Sequence, residues 1–145
     1  MATDRRAETV WQGDLMNGSG TIQAVPSGAF GPLDVSWASR AEEPNGKTSP
    51  EELVAAAWSS CFAMALSNGL AKAGNPPEKL ETSATVTFQP GTGITKGVLT
   101  VRGTVPGLDE DGFRAAADDA KQNCPVSKAL AGIPDVTLDA TLASS

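Results

Sequence analysis

The stretch Ser49-Pro50-Glu51-Glu52-Leu53-Val54-Ala55-Ala56-Ala57-Trp58-Ser59-Ser60-Cys61-Phe62-Ala63-Met64-Ala65-Leu66-Ser67 decides the fold. Ser49 suits an N-cap, Pro50 the first helical position, and Glu52 completes an S-x-x-E capping box, so the start of a helix is specified three ways. Gly74 and Pro76-Pro77 mark its end. About 24 residues at ~1.5 Å each give a helix of roughly 36 Å. From Leu53 to Leu70 it is apolar or small nearly all round, which predicts burial on several sides and a central place in the core. One of only two cysteines, Cys61, lies in its middle.

Upstream, residues 8–12 and 20–25 read as strands joined through Asn17-Gly18, a favoured hairpin dipeptide. Residues 33–37 alternate apolar and polar side chains, as a third, half-buried strand would, before a polar loop from Arg40 to Thr48. Downstream, residues 82–89 and 94–105 are rich in β-branched side chains with Pro90-Gly91-Thr92-Gly93 between them, a second hairpin. Phe113, Ala117, Ala120 and Cys124 recur on one face of a second helix headed by the acidic residues 109–111. Pro125 should stop that helix near Cys124, a short new turn should run to Ala131, and residues 136–142 close the chain as a strand. With no repeats and no linker, the expectation is one α+β domain over residues 1–145.

A chain of 145 residues with 40% apolar content suffices for one core. Its net charge of −6, with no local Lys/Arg run, opposes the phosphate neutralisation on which nucleic-acid binding depends. Two distant cysteines and no histidine fall short of a zinc ligand set, so no metal is expected. Gly46-Lys47-Thr48 imitates the end of a phosphate-binding loop, but Ala41 stands where the pattern needs glycine, and Glu42 and Glu43 would repel phosphate. No apolar h-region follows the charges of residues 1–8, and no apolar run is read as approaching the ~20 residues of a membrane span, so a soluble, cytosolic chain is expected.

In that reducing compartment a standing structural disulfide is disfavoured and a transient catalytic one is permitted. A thiol attacks as its thiolate, and Cys61 lies too deep in its helix for the helix dipole to help it. It needs a cation from outside. Arg40 is the better candidate over Lys47 because it stays charged when desolvated and presents a rigid fork of donors, and Glu51 could hold such an arginine. Glu51 and Cys61 stand about 15 Å apart along the helix and about 80° around it, so a site using both takes Glu51 from a second subunit. Cys124, as N-cap of the turn at Pro125, would place its sulfur near free backbone N–H groups, which suits a resolving thiol or a thiolate leaving group. The plainer alternative is two cysteines that merely pack, with Arg40 and Glu51 as solvated charges. Spacing alone leaves both open.

Thr48-Ser49-Pro50-Glu51-Glu52-Leu53, Ser60-Cys61-Phe62-Ala63-Met64-Ala65-Leu66-Ser67 and Asn123-Cys124-Pro125-Val126-Ser127-Lys128-Ala129-Leu130 together resemble the OsmC/Ohr family of thiol-dependent peroxidases. Trp11-Gln12-Gly13-Asp14-Leu15 and Cys124-Pro125-Val126-Ser127 resemble its OsmC branch. The resemblance implies that Cys61 is the peroxidatic thiol, Cys124 the resolving thiol, and Arg40 with Glu51 the pair that activates Cys61. It implies an intertwined α+β homodimer with active sites at the interface, reduction of organic hydroperoxides or hydrogen peroxide in oxidative and osmotic stress defence, no metal, flavin or haem, and an external dithiol reductant of the lipoyl type. Trp58, Phe62 and Met64 would line the substrate pocket. In the competing reading, a non-enzymatic dimeric binding protein, the same three would enclose a small apolar ligand. Trp58 stands where relatives often carry His or Tyr, and Ala41 where an aromatic is common.

Overall fold

The computed structural model describes residues 1–143 and is α+β, with two three-stranded sheets and four helices among those residues. The chain divides into two compact units, one from Met1 to Leu53 and the other from Val54 onward.

In the first unit β1 (Thr9–Gln12), β2 (Ser19–Ile22) and β3 (Leu33–Val35) form an antiparallel sheet in chain order. The hairpin turn is closed by the Asp14 carboxylate, which accepts from the Asn17 backbone N–H at 2.7 Å, and by the Gly18 N–H donating to the Asp14 carbonyl. The third strand is shorter than the alternation predicts. Ser36 leaves the sheet and caps α1 (Trp37–Ala41): its hydroxyl accepts from the Ser39 N–H while the Ser39 hydroxyl accepts from the Ser36 N–H, each at 3.0 Å. Trp37 therefore begins a helix instead of ending a strand, and Arg40 lies in the last turn of that helix and not in a loop. Residues 42–48 return to the sheet edge, where Thr48 bridges Val35 and its carbonyl accepts from the Ser39 hydroxyl at 2.9 Å.

Helix α2 (Pro50–Lys72) starts where expected, but one half of the capping box is made, the Ser49 hydroxyl accepting from the Glu52 N–H. The Glu52 carboxylate takes the Thr48 hydroxyl as its donor, at 2.8 Å. The expectation of burial on several sides is corrected. Trp58, Phe62, Leu66 and Leu70, four residues apart, form one buried stripe, while Ala56, Ala57, Ser60, Met64 and Asn68 are exposed. Small apolar side chains disguise this stripe in the sequence, because alanine reads as core yet covers little surface. An 18-residue window of α2 has a mean hydropathy of 1.4, so by length and composition the helix could cross a bilayer, contrary to the reading of the sequence. Its large side chains are instead committed to the core cluster of the second unit.

That cluster lies on a sheet of β4 (Lys79–Gln89), β5 (Gly93–Thr104) and β6 (Asp135–Leu142). β4 and β5 form the second hairpin, antiparallel. β6 pairs parallel to β5, which requires a crossover, supplied by α3 (Glu110–Asn123) and α4 (Pro125–Ala129). Asp109 caps α3, its carboxylate accepting from the Gly112 N–H, and Phe113, Ala117, Ala120 and Cys124 are buried on its inner face as the spacing predicts. Gly97 is required where it stands: a Cβ there would lie 2.5 Å from Cζ3 of Trp58, so the indole seats directly on the β5 backbone.

Candidate active site

In the first unit Arg40 and Glu51 form a fork-to-fork pair, Arg40 Nε to Glu51 Oε1 and Arg40 Nη2 to Glu51 Oε2, each 3.0 Å. Glu51 is only 6% exposed. The fold brings the two together through the return loop, which is pinned at Thr48 and delivers the first turn of α2 to the end of α1. A carboxylate in that turn also faces the positive end of the helix dipole. Arg40 borders a groove of about 380 Å³ walled by Trp11, Leu15, Trp37 and Pro50. Sequence reasoning did not find these walls. Their signal was the pair of tryptophans, Trp37 read only as a strand residue and Trp11 as a strand residue within a motif of the resemblance.

In the second unit the sulfurs of Cys61 and Cys124, 63 positions apart in the chain, lie 2.9 Å from each other as free thiols, close enough to share a proton. Cys61 is half-buried and borders an open, mostly apolar groove of about 580 Å³ with Met64, Asn68, Lys72, Asn123 and Pro125. Cys124 is fully buried behind it, between the end of α3 and the start of α4, and is the N-cap residue of α4. Burial raises the pKa of Cys61, the hydrogen bond with Cys124 raises it further, and the Val126 N–H opposes them. For Cys124 burial also acts upward, but the Cys61 thiol, the Ser127 N–H and hydroxyl and the Val126 N–H outweigh it and lower the pKa. The two titrate as one coupled pair in which negative charge rests preferentially on Cys124.

The expected pocket of Trp58, Phe62 and Met64 is not formed as one cage. Trp58 and Phe62 are 1% and 0% exposed and belong to the core stripe, whereas Met64 is 73% exposed and lies on the Cys61 groove. Six helical residues separate Trp58 from Met64, a rotation of roughly 240°, so they cannot face one ligand from one helix. Trp58 instead donates from Nε1 to the Ser127 hydroxyl oxygen at 2.8 Å, on the side of a separate groove of about 430 Å³. Among the described residues no group of three or more His, Cys, Asp or Glu side chains is placed to hold a metal.

The family model for OsmC-like protein matches residues 43–139. The chain is also 37% identical to Peroxiredoxin OsmC of Escherichia coli (strain K12) over 147 aligned residues, 99% of this chain and 100% of that one. It belongs to the OsmC-like family. A further relative, the organic hydroperoxide resistance protein of Xanthomonas axonopodis pv. citri (strain 306), is 36% identical over 97 residues, 63% of this chain and 65% of the relative. The crystal structure of an OsmC-like protein from Mycoplasma pneumoniae superposes with a TM-score of 0.73 at 14% identity, covering 99% and 100% of the two chains, which shows the shared fold. The OsmC-like match takes in Glu51, Cys61 and Cys124, while Arg40 lies just ahead of it and inside the longer alignment.

Proposed function

We propose that this OsmC-like chain is a cysteine-dependent hydroperoxide reductase of hydroperoxide stress defence. One observation carries the reading: two free thiols 2.9 Å apart, one opening on a groove and the other fully buried. Access supports a division of roles. Cys61, on the groove, meets the peroxide, and Cys124, behind it, resolves the product. The Cys61 thiolate attacks the terminal oxygen of ROOH, the O–O bond breaks, and the departing alkoxide takes a proton to become ROH. The resulting Cys61 sulfenic acid is attacked by the Cys124 sulfur, hydroxide leaves as water, and a Cys61–Cys124 disulfide forms. An external dithiol, of the lipoyl type in our reading, returns both thiols by exchange and is itself oxidised to a disulfide.

Burial and Cys124 both disfavour a Cys61 thiolate, so in this reading the site needs a cation held close to the sulfur. The Arg40–Glu51 pair is a guanidinium held rigid by a nearly buried carboxylate. Glu51 is ten residues from Cys61 on unbroken α2, about 15 Å along its axis. In our proposal the pair therefore comes from a partner chain, the two chains forming an intertwined homodimer over the exposed, small-residue face of α2, and residues 1–145 act as one catalytic domain. The substrates are organic hydroperoxides, admitted by the apolar groove beside Cys61, and hydrogen peroxide; the setting is the cytosol.

Free-thiol titration tests the reading against two packed cysteines. One equivalent of an organic hydroperoxide should take the folded protein from two titratable thiols per chain to none, restored by a dithiol. Two thiols remaining after treatment would sink the assignment.

A further inference from the structure

The sequence holds Asn-Gly three times, at residues 17–18, 45–46 and 68–69, and the fold sets the three copies in three different surroundings. The dipeptide carries a reaction of its own. Glycine has no side chain to shield its backbone nitrogen or to restrict its approach, so that nitrogen can attack the asparagine Cγ ahead of it wherever the backbone is free to move.

Two of the copies are held shut. At the first hairpin the Asp14 carboxylate accepts from the Asn17 N–H at 2.7 Å and from the Asn17 side-chain amide at 3.3 Å. The Gly18 N–H, which would be the nucleophile, already donates to the Asp14 carbonyl at 2.9 Å, and a Cβ at Gly18 would collide with that same oxygen. Asn68-Gly69 lies inside α2, where the Gly69 N–H belongs to the ladder of the helix.

Asn45-Gly46 is open. Both residues are exposed, at the centre of a turn closed by the Lys47 N–H donating to the Pro44 carbonyl at 2.9 Å. Their φ angles of 48° and 79° give the turn the positive pair of type I′. A Cβ at Gly46 would meet nothing within 4 Å. Among the described residues, nothing in the protein hydrogen-bonds to the Asn45 side-chain amide or to the Gly46 N–H. An exposed turn closed by one backbone bond opens at little cost.

We infer that Asn45 is a site of spontaneous deamidation, with Gly46 as the nucleophile and water as the co-reactant. The Gly46 nitrogen bonds to Cγ of Asn45, and the side-chain NH2 group leaves with the Gly46 proton as ammonia, closing a cyclic imide. Water adds to either imide carbonyl and reopens the ring. The product is aspartate or isoaspartate, the latter with the main chain routed through the side-chain carbon. Nothing is oxidised or reduced. The new carboxylate joins Glu42 and Glu43 in one segment, and the iso form lengthens that segment by a backbone carbon. Residues 42–48 are the connection between the helix that carries Arg40 and the turn that carries Glu51, so the chemistry falls between the two halves of that ion pair.

The test ages the whole chain in mildly alkaline buffer. Peptide mass mapping locates the conversion, and methyl transfer from S-adenosylmethionine by an isoaspartyl methyltransferase counts the iso product. In the folded protein Asn45 should convert at least about tenfold faster than Asn17 or Asn68, because those two must wait for local opening. In the urea-unfolded chain the three should react at similar rates. Asn45→Gln should remove the fast phase of methyl acceptance, since the longer side chain closes its ring slowly. Equal persistence of all three asparagines in the folded protein, or a fast phase that survives Asn45→Gln, would overturn the inference. Neither result touches the peroxidase reading, which is tested on freshly prepared protein by its thiols.

Discussion

Cys61 and Cys124 carry the same functional group in different surroundings, and the difference predicts different failures. Cys61→Ser keeps a similar volume but replaces a sulfur that can act as a thiolate by a hydroxyl that hardly ionises. Peroxidase turnover should vanish while circular dichroism stays that of the parent, and a folded Cys61→Ser protein that still turns over would refute the role. Cys124→Ser should complete one turnover and then accumulate Cys61 sulfenic acid, trapped by a sulfenic-acid reagent and open to over-oxidation. Normal cycling with a dithiol would remove Cys124 from the resolving role. At Arg40 the issue is geometry as much as charge, since two parallel bonds to Glu51 hold the guanidinium flat and Lys can make only point contacts. Arg40→Lys should therefore resemble Arg40→Ala, slowing oxidation of Cys61 about tenfold or more in rapid mixing with peroxide, as expected when one charge-assisted interaction of ~1.5–3 kcal/mol is lost. A Lys variant as fast as the parent would show that charge alone suffices.

Between elements, the seat of α2 on the sheet depends on the missing side chain of Gly97. Gly97→Ala would drive a methyl into the Trp58 ring, with separations of 2.5 and 2.6 Å, and should cost about 1–3 kcal/mol, read as a lower urea midpoint. An unchanged midpoint would mean that the helix slides freely on the strand. The elements themselves were largely legible in the sequence because their signals are local: Asn17-Gly18 for the first hairpin, Ser49-Pro50 for the start of α2, the spacing of Phe113, Ala117 and Ala120 for the inner face of α3. Helix α1 was not, because its capping box uses Ser39 in place of Glu or Gln and Trp37 continues the alternation of the strand before it. Nor was the meeting of Trp58 with Ser127, 69 positions on, which follows from the crossover that makes β6 parallel to β5. Of the proposed site, the sequence offered the reactive residue types, and the roles proposed for them come from the resemblance. Which side chains face the groove and which face the core depends on a helical stripe that alanines conceal.

For the molecule as a whole, the proposed pairing of chains predicts that activity can be assembled from inactive parts. Cys61→Ser and Glu51→Ala chains, each inactive alone, should regain some activity on mixing, because one composite site in the mixed dimer is intact. No recovery despite demonstrated subunit exchange would count against a site shared between chains. The sulfur pair has a mechanical consequence as well. A bond between residues 63 positions apart closes a ring of chain that holds the β4–β5 hairpin and all of α3. Loop-closure entropy for a ring of that size amounts to about 4 kcal/mol taken from the unfolded state. The oxidised protein should then melt several degrees above the reduced one. Each catalytic round would latch and unlatch the fold, so that resistance to heat or protease becomes a gauge of how much of the enzyme awaits its reductant.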